Sequence, residues 1–314
     1  MIKNLVISGG GIKIISALGV IKYLEEKDLI KNIKNFYGTS AGSLLCLLLV
    51  LNFNSSEIIK FTENFDFNKI FIVNTDNFFS NFNICDNLKL EKVIKLFINF
   101  KLGHTSTTIN QNYLLNDNKY ENITMNELFL HTFKHLIITT VSLKFKKAIY
   151  IDHITFPNLP VWKAILMSCS IPLIFKPIEW ENDLYIDGGL IDNFPLFNIP
   201  RDEIKYTLGI EILLDMNETD ICFTNIYEYI LNLIKIIMES KTEIKSYNII
   251  SILITSNIID NFLNVNINKN IKIELINQGY SQTKDFFKIK NNNINFHFDE
   301  YKNNIKSRKR SNSL

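Results

Sequence analysis

Within its first fifty residues the chain writes the same unit twice: a short apolar strand, a glycine-bearing turn and an apolar helix. Leu5, Val6 and Ile7 run into Ser8-Gly9-Gly10-Gly11, after which Ile14, Ile15, Leu18, Ile21 and Leu24 recur at helical spacing up to Glu25, Glu26 and Lys27. A second strand, around Asn35 to Tyr37, enters Gly38-Thr39-Ser40-Ala41-Gly42 and leaves into an apolar helix from Ser43 to Leu51. Two such units in succession, with further apolar strands at Ile137 to Val141, Ala148 to Ile151, Leu184 to Ile186 and Leu208 to Leu213, predict an α/β fold with a mainly parallel central sheet covered by helices. Ligands of such sheets bind beyond the carboxyl ends of the strands.

At 314 residues and 46% hydrophobic, the chain has enough apolar material for one full core, and residues 1–300 read as one domain. The stretch 52–127 is rich in Phe and Asn, lacks a clear period and reads as an inserted cap. Beyond Asn225 the pattern predicts a helix carrying Ile226, Ile230, Leu233, Ile234 and Ile237, a strand at Ile249 to Ile254 and a helix near Ile271 to Phe287. Residues 301–314 hold Lys306, Arg308, Lys309 and Arg310 and read as a basic, disordered tail, either a solvated end, a contribution to anionic-lipid binding or a localisation signal.

Charge excludes one class of function. The 34 basic and 32 acidic residues leave a formal net charge of +2, so no nucleic-acid partner is expected. Cys46, Cys85, Cys169 and Cys222 lie far apart, with no CxxC pair and no zinc spacing, which fits a reduced compartment and no metal. The apolar stretch at the N-terminus is too short for a signal peptide, and Leu44 to Leu51 falls well short of the ~20 residues of a membrane span. The expectation is a cytoplasmic protein that meets membranes from the side.

Gly38-x-Ser40-x-Gly42 has the pattern of a nucleophile elbow, a sharp strand-to-helix turn in which glycines avoid collisions and a serine hydroxyl is exposed. A serine nucleophile needs donors for its oxyanion, and Gly9-Gly10-Gly11 at the end of the neighbouring strand offers unhindered backbone N–H groups, with Lys13 opening the next helix. A nucleotide cradle is the competing reading of that loop. It fails because the third glycine of GxGxxG would fall at Ile14 and no GxxxxGK[ST] exists, so no cofactor is expected.

Two groups compete for the role of base. A Ser-His-Asp triad in α/β-hydrolase order requires a histidine after Asp187, and His297 alone qualifies; yet Ser40 stands at about the second strand, too early for that fold. The alternative is Asp187 itself, where the strand Leu184-Tyr185-Ile186 ends in Asp187-Gly188-Gly189. A carboxylate is a weak base for an alcohol, so such a dyad needs strong oxyanion donors and gains from an apolar pocket that raises the Asp187 pKa.

Together, Ser8-Gly9-Gly10-Gly11-Ile12-Lys13, Gly38-Thr39-Ser40-Ala41-Gly42-Ser43 and Asp187-Gly188-Gly189 resemble the patatin-like phospholipase family. The likeness extends to Leu18-Gly19-Val20, to Tyr23-Leu24-Glu25-Glu26, to Ser168-Cys169-Ser170-Ile171-Pro172 with Phe175 and Pro177, and to Leu190-Ile191-Asp192-Asn193-Phe194-Pro195. The resemblance covers roughly the first 200 residues. It implies a three-layer α/β/α fold with a helical cap and calcium-independent hydrolysis of fatty acyl esters in phospholipids or neutral lipids at an interface. It also implies Ser40 as nucleophile, Asp187 as base, and Gly9, Gly10, Gly11 and Lys13 as the oxyanion loop. Acyl transfer to an alcohol is the related alternative. The family usually has glycine where this chain has Ile14; a bulky residue there can shift the loop, which motivates a second alternative, a catalytically impaired lipid binder.

The remaining candidates have plain readings. Cys46 and Cys169 read as small core fillers, and His131 and His135, at i and i+4 of a helix, lack the glutamate of HExxH and read as a surface or core pair. Pro172, Phe175 and Pro177 shape the chain beside the elbow, and the Ile226 to Met238 helix reads as core, with membrane docking as its rival role.

Overall fold

The structure, a computed structural model, describes residues 1–70, 83–103, 119–215, 226–239, 248–255 and 267–292. Its centre is an eight-stranded mixed sheet. The strands are β1 (Asn4–Ile7), β2 (Asn35–Thr39), β4 (His135–Ser142), β5 (Lys147–Ile151), β7 (Ile178–Trp180), β8 (Asp183–Asp187), β9 (Thr207–Asp215) and β10 (Ile249–Thr255), in the order β10-β9-β1-β2-β4-β8-β7, with β5 also on β4. The β10-β9-β1-β2-β4 half is parallel throughout. The β4-β5, β4-β8 and β7-β8 pairings are antiparallel.

Helices α1 (Ala17–Glu26), α2 (Ala41–Val50), α6 (Val161–Cys169) and α8 (Lys269–Asn292) cover one face. Alternation along the strands divides the core in two. Leu5, Ile7, Phe36, Leu136, Ile138, Leu208 and Ile210 join these helices in the main core, whereas Val6, Tyr37, Ile137 and Ile249 face the other way. There they meet Phe194, Leu196 and Ile199, on a segment that runs through short 3₁₀ turns. β1 is consequently buried along its whole length, as a central parallel strand must be.

The first helix differs from its predicted form: residues Gly11–Ser16 wind as a 3₁₀ helix before α1 begins. The chain beyond residue 200 completes the domain. β9 and β10 extend the parallel half, and α8 lies so close to α1 that a Cβ on Gly19 would strike the Ile276 carbonyl and one on Gly279 the Ser16 carbonyl. In the 52–127 stretch, α3 (Ser55–Asn64) starts in a capping box between Asn54 and Glu57, and α4 (Leu88–Gly103) buries Leu90, Ile94, Phe97 and Ile98 in the main core. β3 (Asn83–Cys85) pairs with β6 (Leu173–Phe175) outside the main sheet.

Two expectations fail here. His131 and His135 do not share a helix, because α5 (Met125–Thr132) ends in a left-handed residue, Phe133 (φ 52°), and His135 opens β4. His131 then packs edge-on against Tyr120, while His135 packs on Phe129 and His153. Nor does helix α7 (Ile226–Glu239) bury the expected stripe in the core: Leu231 and Met238 face inward, while Ile226, Leu233 and Ile237 of that stripe are exposed, as is Ile236. The reason is its position on the rim of the molecule, against the turn Gly188–Leu190, with one side left to solvent.

Candidate active site

Strand register brings the two principal candidates together. Thr39, the last residue of β2, pairs with Thr139, and Asp187, the last residue of β8, pairs with Thr140. β5 pairs with both Thr139 and Thr140 on the opposite edge of β4. β2 and β8 therefore share one edge of β4, running toward each other and stopping at adjacent registers. Ser40 follows one strand end and Asp187 is the other.

The elbow is built by close backbone approach. Ser40 has φ 53° and ψ −129°, a strained conformation for a residue with a side chain, and α2 starts immediately after it. A Cβ on Gly38 would lie 2.6 Å from Ser43 Cα, and one on Gly42 would lie 2.6 Å from the Ile7 carbonyl oxygen, so neither position admits a larger residue. The Ser40 N–H donates to Ser168 Oγ (2.8 Å), which donates onward to the Thr139 carbonyl (2.6 Å). Ser43 Oγ donates to the Ser40 carbonyl (2.6 Å). The hydroxyls hold the strained turn by its backbone and leave the Ser40 side chain, on a residue only 4% exposed, to the site.

Asp187 is fully buried. Oδ1 accepts the Gly189 N–H at 2.8 Å, and Oδ2 has no hydrogen-bond partner of regular geometry among the described residues. Burial pushes its pKa up to about 7; the nearby Ser40 hydroxyl and the Gly189 N–H offset only part of that rise. A carboxyl in this state is a base near neutral pH, beside a serine, with one oxygen uncommitted.

The glycine loop lies on the other side of Ser40. A Cβ on Gly9 would collide with Asn193 Oδ1 and come within 3.3 Å of Ser40 Cβ. The Gly9 N–H donates to the Asn193 carbonyl (3.0 Å) and is committed to that contact, and Gly11 has φ +52°, the left-handed region that favours glycine. The Lys13 N–H donates to the Gly10 carbonyl (3.0 Å) and closes the turn. Ile14 stands in the 3₁₀ helix, partly buried against the main core.

Three further residues belong to the site: Ser168 and Asn193, to which the sequence assigns no role, and Cys169, which reads from the sequence as a core filler. Ser168 holds the elbow, as above. Asn193 reaches both loops: its amide nitrogen donates to the Gly9 carbonyl (3.4 Å), and its buried Oδ1 is directed at Gly9 and Gly189. Cys169 adjoins Ser40, Ser43 and Asp187; burial first and the Asp187 charge second push its thiol pKa up, which keeps it protonated and unfit as a nucleophile. Their positions in Ser-Cys-Ser-Ile-Pro and Asp-Asn-Phe-Pro were visible, but only the pairing of β2, β4 and β8 places them at one point. His297 lies outside the described residues.

The arrangement, a strained serine at a helix N-terminus beside glycine N–H groups and a raised carboxyl, suits acyl transfer through a covalent intermediate. Similarity to known proteins agrees. Protein R571 of Acanthamoeba polyphaga mimivirus is 28% identical over 246 residues, 74% of each chain. Protein 463L of invertebrate iridescent virus 6, named a probable lipid hydrolase, is 29% identical over 196 residues, 62% of each chain. The solved structure of VipD from Legionella pneumophila shares the fold, with a TM-score of 0.61 at 17% identity over 90% of this chain and 66% of VipD. The family model for patatin-like phospholipase matches residues 5–198, which include every candidate discussed above except the unplaced His297, and the chain belongs to the patatin-like phospholipase family.

Proposed function

We propose that this chain hydrolyses fatty acyl esters of lipids, in the manner of a phospholipase A or lysophospholipase, with Ser40 as nucleophile and Asp187 as its base. The observation that carries the reading is the fully buried Asp187 carboxyl, its pKa near 7 and its Oδ2 unpartnered, facing Ser40 across the junction of β2 and β8. Ser40 Oγ attacks the acyl carbonyl carbon as its proton passes to Asp187. The oxyanion is held by the N–H groups of Gly10, Gly11 and Ala41, the last at the start of α2. Collapse expels the alcohol, which takes the proton from Asp187. Water then attacks the acyl-enzyme as its proton passes to Asp187, and collapse breaks the bond to Ser40 Oγ, which takes the proton back from Asp187 as the fatty acid is released.

The setting we propose is cytoplasmic, with the protein bound peripherally to membranes; no helix among the described residues is long and apolar enough to cross one. Residues 52–127 would act as the cap over the acyl chains. A fluorophosphonate serine probe tests the central claim: intact mass should show one adduct on the wild type and none on Ser40→Ala, and vesicle phospholipid should yield free fatty acid. Wild-type protein that neither labels nor releases fatty acid would overturn the reading. Ile14→Gly tests the shifted-loop alternative: an unchanged labelling rate supports the hydrolase reading, and a marked rise in labelling would favour the impaired lipid binder.

A further inference from the structure

Helix α7 has a wider apolar arc than the fold buries. On its inner side Leu231, Ile234 and Met238 pack with Ile174, Phe175 and Leu190, and Met238 Cε stands 2.6 Å from where a Gly189 Cβ would lie. The helix thus rests on the turn that leaves Asp187. Its outer side presents Ile226, Leu233 and Ile236 at 69%, 40% and 58% exposure, flanked by Tyr229 and Ile237 at 43% and 45%. At 3.6 residues per turn these five positions fall within about 100° of one helix face. Scattered exposed apolar side chains are ordinary on a globular surface; five on one face of one helix mark an interaction surface.

We propose that this face of α7 docks on a lipid bilayer and so sets the Asp187 turn against the membrane. The inference rests on the acyl-lipid reading above and names the surface through which such a substrate is reached. The ester bonds of a bilayer lipid lie at the headgroup–acyl boundary, and an amphipathic helix lying in the interface sinks its apolar face about 5–10 Å into that region. With α7 seated there, the turn Gly188–Leu190 on its inner side lies next to the depth of the ester, while Ser40, itself buried, needs substrate delivered to it. Tyr229, at the edge of an otherwise aliphatic face, has the amphipathic ring favoured at such boundaries. Because the contact is apolar, it should hold on uncharged phosphatidylcholine vesicles and survive high salt.

The test is vesicle flotation of the full chain with phosphatidylcholine vesicles, using the wild type, Ser40→Ala and the double variant Leu233→Ser/Ile236→Ser. The wild type and Ser40→Ala should float alike. The double variant should lose vesicle binding by on the order of tenfold or more, and lose vesicle-lipid hydrolysis in step, while its melting curve and its fluorophosphonate labelling rate stay as in the wild type. The proposal is overturned if the double variant floats like the wild type, if labelling falls as far as vesicle hydrolysis does, or if the substitutions convert a dimer to a monomer without altering flotation. Absence of labelling in the wild type would remove the catalytic reading, yet flotation of Ser40→Ala against the double variant would still decide the docking surface.

Discussion

Strand β8 carries a buried carboxylate at each end, and the two are held in opposite ways. Asp183, at the start, accepts hydrogen bonds from the Ser142 hydroxyl (2.5 Å) and from the N–H groups of Lys144 (3.0 Å) and Leu184 (2.7 Å). Burial tends to raise its pKa, but those donors, with the Ser142 hydroxyl foremost, outweigh it and leave the group below its ordinary value. Asp187, four residues on, has only the Gly189 N–H and the nearby Ser40 hydroxyl to set against its burial, and burial prevails. Depth and donors act together: Asp187 lies much deeper and has fewer donors, so desolvation prevails there, whereas at Asp183 the hydrogen bonds do. A carboxylate well supplied with donors stays ionised, whereas a deeply buried one with few donors holds its proton to higher pH.

The largest effect that follows is on turnover. Asp187→Asn keeps the volume and loses the base, so fatty acid release should fall by on the order of 10⁴-fold with the circular dichroism spectrum unchanged. Turnover within about tenfold of the wild type would mean that the uncommitted oxygen has no part in the chemistry and would erase the contrast with Asp183. Next comes Ser168→Ala, which removes the acceptor for the Ser40 N–H and the donor to Thr139 at the junction where Asp187 arrives. The strained elbow should relax, slowing fluorophosphonate labelling by on the order of 100-fold at unchanged KM for a short soluble ester. Equal losses at low and saturating probe would support this; a pure rise in KM would assign Ser168 to substrate binding instead.

How the two ends of β8 come to differ was only half legible in the sequence. The parallel half of the sheet could be read, because Leu5-Val6-Ile7 and Leu208 to Leu213 are apolar runs bounded by turn or helix signals, and the glycines at 38 and 42 announce a backbone crossing. Ser40 and Asp187 were both identifiable as candidates, since each ends an apolar strand. The antiparallel half was not. Hairpin β7-β8 turns through Glu181 and Asn182, both at positive φ, without the Asn-Gly or Asp-Gly pair that signals such a turn. The strand at 137–141 joins the parallel half as expected, but 148–151 returns along it as an antiparallel hairpin partner through Lys146, again at positive φ. Strand direction leaves no trace in a five-residue apolar run, so the end-to-end meeting of β2 and β8, and the roles of Ser168 and Asn193 beside it, appear only with the register.

Asp183→Asn probes the satisfied end. Its amide must point an NH₂ group at one of three donors, so unfolding in urea should show a loss of about 2–3 kcal/mol at pH 7, with labelling of Ser40 little changed. A loss of labelling as large as that of Asp187→Asn would show that the two ends are not independent.

The last effect, spread thinly over several pH units, separates the two carboxylates by sign. Between its unfolded value near 3.8 and its folded value of about 7, Asp187 is protonated in the folded protein and ionised in the unfolded chain, so the folded state binds the extra proton and stability falls as pH rises through this window. Asp183, held below its ordinary value, contributes above the unfolded carboxylate range and loses that contribution as pH falls through its folded value. Each group alone changes stability by at most about 1.4 kcal/mol per pH unit within its window. Melting temperatures from pH 3 to pH 8 should therefore decline less steeply above pH 4 in Asp187→Asn than in the wild type, and recover less steeply from acid in Asp183→Asn. Under the proposed mechanism, hydrolysis at saturating substrate should rise through pH 7 as Asp187 ionises. Parallel melting curves for the wild type and Asp187→Asn between pH 4 and pH 8 would show that the Asp187 carboxyl is not raised, and the unpartnered oxygen would lose its claim to be the base.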